Sequence, residues 1–591
     1  MQTQILDIEV YRDYFLAMFK DVATGEVRAF EKWDGSPLDV EGLRAILRRD
    51  CIVTFNGNSY DLLVLALALS GASNETLKKG SDAVIKTNLR SWQFEREFNV
   101  KISKSINHID LIEVAPGVAS LKIYGGRLHC PKMQDLPFDP DMSITPANRP
   151  LLREYCGNDL GVTLALYNTL LPNIQLREQM GQMYGIDLRS KSDAQIAEAV
   201  IAKSVAKIIG SEVKRPTIES GTAFRYRAPT FIRFKSSALQ EVATLLAGLD
   251  FVVPSTGGIA IPKPLADHKI KIGNGLYRMG IGGLHSSEKC TAHVADADTV
   301  LIDRDVASYY PKIILNTGLA PAHMGAAFTQ TFNTIVDRRL AAKAAGNKVE
   351  ADALKITVNG SFGKFGNKWS ILFAPQLMIQ TTVTGQLALL MLIESLEAEG
   401  IPVVSANTDG VVIKCPVEKI PLMDLVVWEW ETLTGFETEA TEYRAIYSRD
   451  VNNYIALKKG GGAKLKGAFA PSGLQKNPTN EICTGAVTKF LMDGTPVEDS
   501  IRACTDPRKF VCVRQVKGGA IKDGQPIGKA LRWYYSIAAI GAFHYKVNGN
   551  KVPLSDGALP MMQLPDALPA DLDFDWYITE ARSILKDIGA Q

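Results

Sequence analysis

Asp305-Val306-Ala307-Ser308-Tyr309-Tyr310-Pro311 is the stretch from which the rest of the chain can be read. The apolar run Val300 to Asp305 brings a carboxylate to the end of a strand. Downstream come Lys355 to Gly363 (KITVNGSFG) and then Asn407-Thr408-Asp409-Gly410. The last of these lies between VVSA and VVIK, a hairpin pattern over Val403 to Lys414 with Asp409 at its tip. Strand ends and hairpin tips both project a carboxylate from a rigid sheet. Two such aspartates, with a basic helix between them in sequence, are what two-metal phosphoryl transfer requires. Either one alone would be an ordinary strand-end or turn residue.

The helix between them discriminates better. Lys355, Asn359, Phe362 and Gly363 fall at i, i+4, i+7 and i+8, hence on one face of a helix predicted over Glu350 to Phe365. Lysine there meets triphosphate oxygens, and Phe362 followed by Gly363 leaves a flat surface for a base pair. Ala326 to Ala345 is a second helix, stopped by Gly346-Asn347, and its Arg339 and Lys343 at i, i+4 add phosphate contacts. Standing alone, such helices would be solvated basic faces. Their place between the aspartates gives them a nucleotide to hold.

The N-terminal part alternates strand-like and helix-like patterns. Asp7 and Glu9 lie two apart on a predicted strand, Ile5 to Val10, and so face one side. Asp13 to Phe19 would pair with it, and Cys51 to Phe55 reads as a buried strand. Asp61 follows Asn56-Gly57-Asn58-Ser59-Tyr60 and opens a helix over Leu62 to Leu69. Tyr155 and Asp159 share a face of a helix over Leu151 to Leu171. Each pattern is common by chance, and alone each is more often plain polarity at the surface, although Asp7 and Glu9 on one strand face can reach a single metal site.

Composition bounds the answer. At 591 residues the chain should hold three or four compact units. Hydrophobic residues are 46% and charged residues 22%, an ordinary globular balance. No basic-then-apolar leader and no membrane-spanning window are read, so a cytoplasmic protein is expected. The eight cysteines form no C-x-x-C pair, which favours reduced thiols over zinc or disulfides. Net charge is only +2, but Val451 to Tyr535 holds 14 Lys+Arg against 6 Asp+Glu, leaving −6 elsewhere. Such a segment can neutralise backbone phosphates, and an ordinary lysine-rich surface reads the same way.

With these residues in place, the chain resembles the family B DNA polymerases. Asp305 to Pro311 matches DxxSLYP with Tyr309 for Leu; Lys355 to Gly363 matches KxxxNSxYG with Gly360 for Ser and Phe362 for Tyr; Asn407 to Gly410 matches DTDS with Asn and Gly at its ends. The resemblance implies Asp305, Asp409 and the Val306 carbonyl as metal ligands. It makes Tyr310 a steric gate against a 2′-hydroxyl. Asn452-Asn453-Tyr454 stands at the family's KxY element and Lys466-Gly467 at its KG element, so Tyr454 and Lys466 would grip the primer end. Lys458, Lys459 and Lys464 are candidates to replace the missing KxY lysine. Gly282-Gly283 resembles a glycine pair that touches template. The N-terminal motifs resemble the tyrosine subclass of DEDD 3′→5′ exonucleases. Asp7, Glu9, Asp61 and Asp159 would be its metal ligands, Tyr155 would orient the attacking water, and Asn56 and Tyr60 would hold a frayed 3′ end.

The fold so implied is an α/β multidomain chain, an RNase H-like exonuclease domain plus a right-hand polymerase with an antiparallel palm sheet, helical-hairpin fingers and a thumb. Its expected segments are 1–190 (exonuclease), 191–320 (connection and first palm part), 321–366 (fingers), 367–470 (palm) and 471–591 (thumb and C-terminal region). Pro311 to Lys355 and Gly363 to Asn407 each span only 44 positions, too short for the insertions of protein-primed phage members. A compact phage or plasmid replicase is implied, using two Mg²⁺ per site with Mn²⁺ as substitute, acting on primer–template DNA and dNTPs, with accessory replication proteins left open. Alternatives are an impaired DNA-binding pseudo-polymerase and a nuclease-dominant repair enzyme. In the tail, Lys529, Arg532, Trp533, Tyr534 and Tyr535 fit a DNA grip or a buried helix, and Pro553 to Asp575 a loose surface segment.

Overall fold

A computed structural model describes residues 1–590. It is a mixed α/β chain with several sheets, divided into two compact units rather than three or four. Each unit is assembled from three stretches: 1–192, 471–482 and 502–577 in the first; 193–470, 483–501 and 578–591 in the second. The 471–591 tail is therefore shared between the units.

In the first unit, strands Val27–Lys32, Phe15–Asp21, Thr3–Val10, Cys51–Thr54 and His108–Asp110 lie side by side in that order. The first three are antiparallel and the last two join in parallel. Alternation on Thr3–Val10 sends Ile5 to one buried cluster and Leu6, Ile8 and Val10 to another on the opposite face. Helix Arg149–Tyr184 covers the Ile5 face through Leu152, Cys156, Leu160 and Leu166. It runs 36 residues, well past the expected Leu171, and passes through Pro172.

The tail expectations fail in this unit. Lys529 to Tyr535 is not a helix but part of strand Gln525–Tyr535, paired with Cys512–Lys522. Trp533 is fully buried, and the buried Arg532 guanidinium donates to the carbonyls of Cys130, Pro131, Met561 and Met562. The aromatic run Trp533-Tyr534-Tyr535 favours a strand, and so short an apolar run cannot be told from a buried helix segment by period alone. Pro553 to Asp575 is not loose either: strand Ala558–Pro560 pairs with Trp533–Tyr535, and Asp571 accepts from Tyr534 and Ser536.

In the second unit a long sheet runs Ala463–Leu465, Asn453–Lys458, Thr438–Asp450, Thr299–Val306, Gly410–Pro416, Val403–Asn407, Leu284–Ser286, Gly275–Met279, Ile270–Ile272. All its neighbours are antiparallel. Helices Gly325–Ala344 and Lys348–Phe365 form the expected pair, and Asp193–Ile209 packs against the second of them. Gly360, where the family pattern has Ser, lies under that third helix: a Cβ there would sit 2.6 Å from the Asp193 carbonyl oxygen.

One helix escaped the sequence reading. Pro375–Ala398 is long and apolar enough to cross a membrane by length and composition, yet 89% of its apolar window is buried in this unit. Its Gln380, Thr384 and Gln386 find partners at Arg227, Tyr226 and Gly280, which makes it a core helix of the unit.

Candidate catalytic centres

The second unit brings the two signature aspartates together. In the ladder between Thr299–Val306 and Gly410–Pro416, Asp305 stands opposite Gly410. The Val306 N–H donates to the Asp409 carbonyl at 2.8 Å, locking the hairpin tip to the end of the neighbouring strand. The tip is tight: Asp409 N–H donates to the Asn407 carbonyl at 2.7 Å, and Thr408 takes a φ of 61°. Gly410 is required by close approach, since a Cβ there would lie 2.2 Å from Asp305 Oδ1. The departure from the family's serine thus makes room for the carboxylate itself.

Asn407 has a physical reason too. Its side-chain amide donates to the Val451 carbonyl at 3.0 Å and to Asn452 Oδ1 at 3.2 Å, while its Oδ1 accepts from Thr408. An aspartate could not make those two donations. Asn407 ties the turn over Asn407 to Gly410 to the loop that precedes Tyr454.

Sequence reasoning missed Asp303, two residues before Asp305 and so on the same side of the strand. It is 5% exposed and takes hydrogen bonds from Tyr443 Oη and from Lys464 Nζ at 2.8 Å. The same ammonium lies 3.4 Å from Asp305 Oδ2, with Tyr454 in hydrogen-bonding reach. Of the three candidate replacement lysines, Lys464 is the one at the site; Lys459 is paired with Glu442 and Lys458 is exposed. Burial, then Asp303, pushes the Asp305 carboxyl up, against Lys464 and Lys466. Burial, then Asp305, does the same to Asp409, against Lys466 and Lys464. Burial works against the Lys464 charge, but Asp303 and Asp305 hold its ammonium well above the ordinary lysine range.

Tyr310 and Phe362 meet as a stacked pair, centroids 4.3 Å apart and planes at 20°. The Tyr310 hydroxyl donates to the Gly282 carbonyl, so the glycine pair supports this ring. Lys355 and Asn359 are exposed on the helix face that Phe362 continues. Arg339 donates to Ser308 Oγ at 2.9 Å, and Lys343 sits 3.9 Å from Glu439. Val306 is buried and Lys466 exposed.

In the first unit, ligand oxygens of Asp7, Glu9 and Asp159 lie within 4.8 Å of one another. Asp61, at the first turn of helix Asp61–Leu69, is buried beside them, close enough for Asp7 to raise its carboxyl and for its own charge to act on Glu9. Burial, then Asp159, pushes Asp7 up to about 7. Glu9 is raised well above its ordinary value by burial, Asp7 and Asp159, and Asp61 by burial, Asp7 and Asp110. Burial also raises Asp159, against Lys122 and Tyr155. The set is all carboxylate oxygen, hard donors suited to Mg²⁺ or Mn²⁺, and its mutual repulsion is what a divalent cation relieves.

Three neighbours had no readable signal. Lys122 donates to Tyr155 Oη and to the Gln134 carbonyl, its ammonium 4.4 Å from the Tyr155 ring centroid. Cys156 Sγ lies 3.4 Å from Asp7 Oδ2. Asp110, fully buried, accepts from the backbone N–H groups of Asn56 and Asn58 at 2.7 and 2.9 Å. It shapes the left-handed turn at Asn56 that presents Tyr60, whose hydroxyl is 2.9 Å from Ser81 Oγ.

No protein-family model and no curated protein sequence matches the chain. Among solved structures, it is similar to the family B DNA polymerase from the hyperthermophilic archaeon Pyrobaculum calidifontis. That match is 14% identical with a TM-score of 0.42, and covers 100% of this chain and 78% of the other. A likeness of that size says nothing of activity.

Proposed function

We propose that the chain is a template-directed DNA polymerase with a 3′→5′ proofreading exonuclease. The observation that carries this reading is the convergence of Asp305 and Asp409 at adjoining strand ends, with the Val306–Asp409 hydrogen bond between them. The two motifs lie far apart in sequence, yet their carboxylates meet at adjoining ends of two paired strands in the interior of the sheet. The Tyr310–Phe362 stack and the exposed Lys355 and Asn359 add a nucleotide platform and its phosphate contacts.

Divalent cations held by Asp305, Asp409 and the Val306 carbonyl would polarise a primer 3′-hydroxyl and neutralise the triphosphate. The residues do the positioning. Tyr310, fixed through Gly282 and Phe362, sits under the incoming sugar and excludes a 2′-hydroxyl. Lys355, with Arg339 and Lys343, steadies the phosphates. Lys464 holds Asp305 in place and, with Tyr454 and Lys466, faces the primer end.

At the other centre, Asp7, Glu9, Asp61 and Asp159 would hold the metals for hydrolysis. Tyr155, braced by Lys122, orients water toward the terminal phosphodiester, and Asn56 and Tyr60 hold the frayed strand. The short motif intervals support a compact replicase of phage or plasmid type, without protein-priming insertions, in a bacterial cytoplasm. A nuclease-dominant repair enzyme is the second reading, favoured by the buried, strongly repelling N-terminal carboxylates.

Incubating the protein with a primed template, Mg²⁺ and labelled dNTPs tests the first reading. Template-coded incorporation is expected; degradation with no incorporation under any divalent cation would leave the second.

A further inference from the structure

In the second unit, the short link between strands Leu284–Ser286 and Thr291–Val294 carries a carboxylate that none of the motifs accounts for. Glu288 is half-buried, and the hydroxyls of Ser286, Ser405 and Ser448 converge on it. All three serines are buried, and they come from three strands: Leu284–Ser286, Val403–Asn407 and Thr438–Asp450. Burial pushes the Glu288 carboxyl up and Asp450 adds to the rise, while the three hydroxyls hold it down. A carboxylate can accept from all three at once, whereas an amide in its place has one acceptor oxygen and brings donors of its own.

The strands that Glu288 gathers are those that set the place of Asp409. Val403–Asn407 leads directly into the turn that carries it. Thr438–Asp450 ends just before Val451 and Asn452, which accept from the Asn407 amide. Leu284–Ser286 receives the turn from the other side, where the Thr408 N–H donates to the Leu284 carbonyl at 2.8 Å.

That last join is thin. Among the described residues, the ladder between Leu284–Ser286 and Val403–Asn407 has one paired position, His285 opposite Asn407. Side chains must therefore hold it, and the Ala406 N–H donates to Ser286 Oγ at 2.8 Å. The Ser286 hydroxyl has one proton and two acceptors in reach, Glu288 Oε1 and the Ala406 carbonyl at 3.1 Å. A charged acceptor takes that proton over a neutral one, which leaves a Ser286 lone pair aimed at the Ala406 N–H. Glu288 thus fixes the hydroxyl on which the base of the turn hangs.

We propose that Glu288 is a positioning residue for metal binding at the second centre: through Ser286, Ser405 and Ser448 it holds the turn that carries Asp409 against Asp305, so that the two carboxylates share a divalent cation. The proposal rests on the polymerase reading of that centre. It touches neither the nucleotide platform nor the first unit, since the Tyr310–Phe362 stack stands on helices Tyr309–Asn316 and Lys348–Phe365.

The test uses the full chain carrying Asp7→Ala and Glu9→Ala, which strips two carboxylates from the first centre, as the parent for Glu288→Ala, Glu288→Gln and Ser286→Ala. Calorimetric titration with Mn²⁺ reads the metal, the event lost in Asp409→Ala marking the second centre, and primer extension in Mg²⁺ reads the reaction. Removing a group that orients metal ligands costs roughly 10- to 100-fold in metal affinity or activity. Glu288→Ala is expected to weaken Mn²⁺ binding and to lower the kcat of extension by about that factor, with the KM for dNTP unchanged. Glu288→Gln, which keeps the volume and one acceptor oxygen, should recover part of the loss. Chemical denaturation in EDTA shows which variants are folded, and Ser286→Ala, which removes a single hydroxyl, replaces Glu288→Ala in the comparison if the latter is not. Parental Mn²⁺ affinity and kcat in the folded variant would overturn the proposal, as would a loss of stability alone. A parent that incorporates no dNTP would overturn the polymerase reading, and the Mn²⁺ titrations would then decide the positioning role by the same comparison.

Discussion

The two carboxylate centres solve the same electrostatic problem in opposite ways. In the first unit, Asp7, Glu9, Asp61 and Asp159 are crowded, with Lys122 as the cation acting on Asp7, Glu9 and Asp159, and burial is the largest force pushing all four upward. In the second, Asp305 and Asp409 are less enclosed, and Lys464 and Lys466 pull both down. The first centre therefore stores repulsion that Lys122 offsets only in part and that protons or metal would relieve. The second is held in shape by its own lysines before any ligand arrives.

The sharpest way to break this comparison is to crowd the second centre. Gly410→Ser places a side chain where Asp305 Oδ1 now lies, 2.2 Å from the new Cβ. Primer extension is expected to fall roughly 100-fold or more, about 3 kcal/mol of barrier, with degradation of single strands unchanged. Steady-state incorporation on a primed template reads the first, and gel analysis of a labelled oligonucleotide the second.

Removing the second centre's internal cation comes next. Lys464→Ala leaves Asp303 buried with Tyr443 as its remaining partner. Breaking a largely buried ion pair costs about 3 kcal/mol, less whatever solvent regains at the partly exposed lysine. Chemical denaturation should show that loss, and primer-end affinity should fall with it. Lys464→Arg should restore stability better than Lys464→Met.

The first centre should respond to pH. The Asp7 carboxyl, 3.8 in its ordinary state, is pushed up to about 7, so the folded metal-free protein binds more protons than the unfolded chain between those values. Its contribution to stability is thus full below about pH 4 and is lost as pH rises through about 7. Melting of the EDTA-treated protein should show this decline, and Mg²⁺ should oppose it. Asp7→Asn should stabilise the metal-free protein at pH 8 by roughly 1–3 kcal/mol while abolishing degradation.

The smallest effect tests the asparagine at the turn that carries Asp409. Asn407→Asp restores the family's residue but sets a carboxylate against the Val451 carbonyl and Asn452 Oδ1. A loss of about 1 kcal/mol in thermal denaturation is expected, with no gain in extension rate.

How much of this was legible follows from what each residue does locally. Asp305, Asp409, Asp7 and Glu9 sit on strands or hairpin tips whose two-residue period is written in neighbouring side chains. Phe362 could be placed on one face with Lys355 and Asn359 from the helix period, but its stack on Tyr310 is a contact between helices that no period shows. Asp303, Lys122, Cys156 and Asp110 could not be found this way, because their importance lies in contacts across strands and helices. Gly360 and Gly410 looked like losses in the motif and are close-approach positions, visible only once Asp193 and Asp305 have places. The tail was misread because Leu531, Trp533 and Tyr535 are buried on a strand whose partners come from 120–135 and 558–577.

The most direct measurement follows a 5′-labelled primer on its template in Mg²⁺, with and without dNTPs, in wild type, Asp409→Ala and the Asp7→Ala plus Glu9→Ala double variant. Two separate centres predict that the wild type lengthens the primer with dNTPs and shortens it without. Asp409→Ala should only shorten it, and the double variant should only lengthen it. A wild type that never lengthens the primer, or variants that each lose both reactions, would contradict the account.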